Sequence, residues 1–168
     1  AVERFGGAGA AGWLYASIAL GSVVGGLLSG WIGRVRRQGM ALVTAVVIWG
    51  LAVAAAGLAR ELWLVVLLMG VGGAADLVSA VYRQTILQTY APDAMRGRMQ
   101  GVFIVVVSGG PRLGDLRAGA GAAAFGASAS WVGGGIACVV LVLALAAAAP
   151  SLVRYRMDRP VDEVPDST

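Results

Sequence analysis

Apolar runs about as long as a bilayer is thick recur along this chain, with only short connectors between them. MALVTAVVIWGLAVAAAGLA, residues 40–59, is the plainest and contains no charge. It lacks the polar stripe at helical spacing that each helix of a soluble bundle needs. A helix crosses the hydrocarbon core with about 20 apolar residues, and it satisfies its own backbone N–H and C=O groups where no water can. Of the 168 residues, 58% are hydrophobic and 13% charged, against about 25% charged in ordinary soluble domains. The pattern predicts an all-α, polytopic transmembrane helix bundle.

About five spans are expected, at 12–32, 40–59, 62–90, 101–125 and 129–150. An extracytoplasmic segment, 1–11, precedes them, and a polar cytoplasmic tail, 151–168, expected to be disordered, follows. The third span is long enough to project past the hydrocarbon at its polar end, YRQTILQTY. Its neighbours are joined by connectors of two kinds. Arg34, Arg36 and Arg37 follow the first span, Arg96 and Arg98 the third, and Arg154, Arg156 and Arg159 the fifth. The other side holds Arg4, the Arg60–Glu61 connector, and GASAS with no base. By the positive-inside bias the N-terminus lies outside and the C-terminus in the cytoplasm, in a multi-pass protein of the plasma (inner) membrane. The net charge is +4 and all basic residues are Arg. Their confinement to connectors marks topology rather than a nucleic-acid surface. The opening AVERFGG has no Met and no signal-peptide pattern, so a fragment or a processed chain is expected.

Charges inside the spans are unevenly shared. The second and fifth have none and are expected to face lipid; the third carries Asp76 and Arg83; the fourth, within SGGPRLGDLRAG, carries Arg112, Asp115 and Arg117. Each costs roughly 2.5–3.5 kcal/mol at mid-membrane on insertion scales, so these faces must turn to protein or water. Asp76, Ser79 and Arg83 fall on one side of a helix, as do Arg112 and Asp115, whereas Arg117 points away from Asp115. Asp76 and Arg112 reach similar depths. They are expected to pair or to border one aqueous cavity; the alternative is an Arg112–Asp115 pair within one helix. Small residues recur every fourth position in the first span (Ser17, Gly21, Gly25, Ser29, Gly33) and in the fourth (Gly110, Gly114, Ala118, Ala122, Gly126). Such strips let backbones approach, which marks both as interface helices. Pro111 removes one backbone bond from the fourth span and is expected to kink it.

Several chemistries are excluded or disfavoured. With no Lys there is no phosphate-binding P-loop, and with no His there is no His-based zinc site or Ser-His triad. The lone Cys138 gives no disulfide and no thiolate metal site. GVGGAA and GAGAAA fit a dinucleotide-binding pattern but follow no strand. No enzyme, metal or cofactor is expected.

Two connectors resemble those of the major facilitator superfamily, in the branch that holds siderophore and drug exporters. GWIGRVRRQG is similar to the Gly-rich cytoplasmic loop that follows the second helix of each half; Gly30, Gly33 and Arg37 match, and Arg34 stands where many first-half copies have an acid. LQTYAPDAMRGRMQG is similar to a Q-T-x-x-P-[DE]-x-x-x-G-R sequence, matched at Gln88, Thr89, Pro92, Asp93, Gly97 and Arg98. The resemblance implies a C-terminal six-helix half lacking its first helix. It implies that the third span lines a central cavity, the first and fourth lie between halves, and the second and fifth face lipid. It further implies a secondary transporter that exports a small organic molecule, such as a siderophore or drug, in exchange for protons. The missing N-terminal half would be its partner, and Asp76, Arg83, Arg112 and Asp115 would form the substrate or proton pathway. The alternative is a non-transporting membrane scaffold or pseudo-transporter fragment.

Overall fold

A computed structural model describes residues 7–27, 30, 37–90 and 95–150. They form five helices: α1 (Ala8–Leu27), α2 (Gln38–Leu58), α3 (Leu62–Tyr90), α4 (Arg96–Phe125) and α5 (Ala127–Ala148). No strand occurs among the described residues, so the expected all-α bundle is what forms. The terminal segments 1–6 and 151–168, and Gly33, Arg34, Pro92 and Asp93 of the loop motifs, lie outside the described residues.

In space the helices run α1, α3, α2, α5, α4, each packed mainly on its neighbour in that order. Four of them, α1, α2, α3 and α5, are long and apolar enough to cross a membrane. At 30 residues α4 is the longest helix, about 45 Å at 1.5 Å per residue. Its charges and glycines leave it short of the apolarity of the others. It continues unbroken through Pro111.

Backbone proximity, not bulky side chains, holds α1 to α3. A Cβ added at Gly21 would strike the Gly70 carbonyl, and one at Gly73 would strike the main chain of Ile18. Ser22 donates its hydroxyl to the Gly73 carbonyl at 3.1 Å across the same contact. Hydrocarbon gives helices no hydrophobic reason to associate, so this close van der Waals fit and the interhelical hydrogen bond supply the attraction. The small strip on α1 is therefore used up within this chain. On α4, by contrast, Gly110 and Gly114 have nothing within 4 Å of an added Cβ.

The same device joins α2 to α5, where Gly50 and Gly135 meet across the crossing. Thus α2 and α5, although uncharged, do not face lipid all round; Ala45, Ala52, Ala54, Ser130 and Gly135 are buried. At the far end a cluster of Leu14, Ala56, Ala59, Val65 and Met69, with Trp131 against it, closes the bundle. Gly126, at a φ of 84°, turns the chain from α4 into α5 in a left-handed conformation that favours glycine.

Candidate functional site on helix α3

The ionic residues of α3 form one braced group. Ser79, buried at 3% exposure, donates its hydroxyl to the Asp76 carbonyl at 2.8 Å. Arg83 reaches back along the helix: its Nε donates to the Ser79 carbonyl at 3.3 Å and one Nη to the Ser79 hydroxyl at 3.2 Å. That Nη also lies 3.5 Å from an Asp76 carboxylate oxygen. The expected sharing of one face by Asp76, Ser79 and Arg83 follows from seven residues making about two turns. The serine adds what the wheel does not show: it holds the guanidinium at the reach where the carboxylate can meet it.

The side chains of Arg83 and Asp76 are 41% and 63% exposed. In a chain that spans a bilayer, so open an ionic face cannot look onto acyl chains without the cost of bare charge. It looks onto water or onto more protein. At 3.5 Å the pair is long for a charge-assisted hydrogen bond, so it is a contact that a small movement of either side chain breaks.

Asp76 finds its partner on its own helix, and not in Arg112. The physical reason is the helix order: α4 leans on α5 and barely meets α3. Arg112 and Asp115 are exposed, and no ion pair joins them despite their i, i+3 spacing. Arg117 behaves differently. Its guanidinium lies over Gly134 of α5, where an added Cβ would strike it. Ser130 of α5 donates to the Ala118 carbonyl at 3.0 Å beside it. The run Gly133-Gly134-Gly135 is the sequence signal for this cradle, which the wheel of α4 alone does not reveal.

Of the loop residues that are described, Gly30 is exposed with nothing within 4 Å of an added Cβ. Arg37 is the exposed residue at the N-cap of α2. Gly97 and Arg98 sit exposed in the first turn of α4. None approaches Asp76.

Comparison with known proteins agrees with this architecture. The chain is 36% identical over 155 residues to the enterobactin exporter EntS of Citrobacter koseri, a match that covers 90% of this chain and 36% of that protein. It is 29% identical over 157 residues to the enterobactin exporters EntS of Escherichia coli and Shigella flexneri, covering 93% of this chain and 38% of each. The chain thus spans little more than a third of the length of these relatives. No solved structure matches it. The family model described as transmembrane secretion effector matches residues 2–165, nearly the whole chain. This multi-pass membrane chain belongs to the transmembrane secretion effector family of major facilitator transporters.

Proposed function

We propose that this chain is the C-terminal part of an inner-membrane exporter of small organic molecules, driven by proton antiport. Asp76 carries the proton and Arg83 competes with it. The observation that carries the reading is the exposed, breakable Asp76–Arg83 pair on the long helix α3. In one conformation Arg83 engages the carboxylate and keeps it ionised; in the other the pair opens and the carboxylate takes a proton from water. An equilibrium between two such states shifts only as far as the ligands differ in affinity for them. A proton and a cationic side chain that exclude each other at one carboxylate supply that difference.

Arg112 and Asp115 on the open face of α4 would border the same passage from the other side, completed by the helices that the longer relatives possess. The basic connectors support an orientation with the N-terminus outside and the C-terminus in the cytoplasm. The relatives' name makes a siderophore the first substrate to test.

The experiment uses inverted vesicles holding the full-length transporter and enterobactin as the probe. Asp76→Asn is expected to cut uptake driven by a proton gradient at least five-fold while the protein inserts normally. Substrate exchange at equilibrium, which moves no net proton, is expected to survive. Unchanged driven uptake removes the proton role. Loss of exchange together with uptake assigns Asp76 to substrate instead. No uptake by the unsubstituted transporter, against uptake by an enterobactin exporter in the same vesicles, removes export of this substrate.

A further inference from the structure

The helices converge at the Leu14–Val65 end, where the core cluster packs, and leave a groove of about 530 Å³ at the other. Its walls are Gly25 of α1, Met40, Thr44 and Ile48 of α2, and Val71 and Val78 of α3, with Arg37 at the rim. On α3 the groove face lies about 140° around the axis from Asp76 and Arg83, at roughly 100° per residue. The groove is therefore on the opposite side of the bundle from the ionic face, and it belongs to the side that meets lipid.

We infer that this groove seats one acyl chain of an anionic phospholipid, with Arg37 holding the lipid's phosphate. Three features favour that occupant. The lining is apolar apart from its rim, which suits a hydrocarbon chain and leaves a polar solute without partners. From Met40 to Ile48 the groove extends about 12 Å along α2 at 1.5 Å per residue, close to half of the roughly 30 Å hydrocarbon core, so it matches one leaflet. The one cation that lines it is exposed at the helix start, at the depth where a headgroup lies, and basic pockets between membrane helices on the cytoplasmic side take acidic headgroups. A bound lipid there would wedge between α1 and α2 without touching the face that bears Asp76. The inference rests on the chain's membrane-spanning fold, not on export, so its failure leaves the proton reading intact.

The test is native mass spectrometry of the purified protein released from nanodiscs of mixed phosphatidylglycerol and phosphatidylcholine. It is paired with labelling by a phosphatidylglycerol that carries a diazirine midway along one chain. Retained phosphatidylglycerol is expected to exceed phosphatidylcholine about five-fold, the attraction that one Arg near a surface gives. The label is expected within residues 38–60. Arg37→Gln is expected to bring the two lipids to parity. Thr44→Trp, at an exposed position of the wall, is expected to remove labelling while the reactivity of Cys138 stays that of the folded protein. Equal retention of both lipids by the unsubstituted protein overturns the proposal. So does a preference that survives Arg37→Gln, or labelling confined to other segments. Cross-linked dimers through Thr44→Cys that exclude the label would assign the groove to a second copy and overturn it as well.

Discussion

Gly73→Ala is expected to separate α1 from α3 and to lower the melting temperature of the detergent-solubilised protein by about 10 °C. The added methyl meets the main chain of Ile18, which cannot turn aside as a flexible side chain can. Overpacking costs typically 1–3 kcal/mol, and a cost at the top of that range corresponds to about 10 °C for a chain of this size, at about 2–4 °C per kcal/mol. Gly21→Ala should act in the same way through the Gly70 carbonyl. The Ser22 hydrogen bond to Gly73 would lengthen in both variants, which removes the polar part of the contact along with the apolar part. Gly109→Ala is the control: nothing lies within 4 Å of its added methyl, and a helical Gly→Ala change is worth up to about 1 kcal/mol in the stabilising direction. The free thiol of Cys138, half-buried on α5, reports the melt without a further label. If Gly73→Ala melted at the same temperature as Gly109→Ala, close backbone contact would not be what joins these helices.

This contrast among glycines also marks where sequence legibility ends. The spacing of small residues on α1 and α4 is readable, and so are five helices, because apolar length and breaker residues determine both. Whether a strip faces a partner within the chain is a matter of helix order, which spacing does not encode. Thus α1 spends Gly21 on α3, while Gly110 and Gly114 of α4 remain bare. Helix order likewise decides the partner of Asp76. Depth along the membrane puts Arg112 level with it, but depth says nothing about lateral separation, and Arg83 on the same helix is the residue within reach. Local periodicity was enough to align Asp76, Ser79 and Arg83. It was not enough to find the cradle for Arg117, because Gly134 contributes only from a second helix. The loop motifs identify the family by residue type alone, and their structural part in Gly33, Arg34, Pro92 and Asp93 lies beyond the described residues.

A second large effect should appear when cysteine replaces residues on the two ionic faces, in a Cys138→Ser background of the full-length transporter. Asp76→Cys and Asp115→Cys are expected to react with a charged, membrane-impermeant maleimide on the order of 100-fold faster than Leu67→Cys or Val105→Cys. The thiolate is the nucleophile, and apolar surroundings suppress its formation; a suppression equivalent to two logarithmic units gives the stated ratio. All four positions are exposed in the isolated chain, so exposure alone predicts equal rates, and only the identity of the surrounding medium separates them. Leu67 lies on α3 itself, nine residues before Asp76, at about 180° around the helix axis by its spacing. Comparing those two sites therefore tests whether opposite sides of one helix meet different solvents. Fast reaction at Asp115→Cys alone would place water beside α4 and deny it to α3, which would leave Asp76 without a proton source. Slow reaction at both would mean that the charges are covered by protein, and the neutralising partners would then have to come from the part of the transporter outside this chain. Fast reaction at both places one continuous aqueous path against the two charged helices, the arrangement that proton exchange at Asp76 requires.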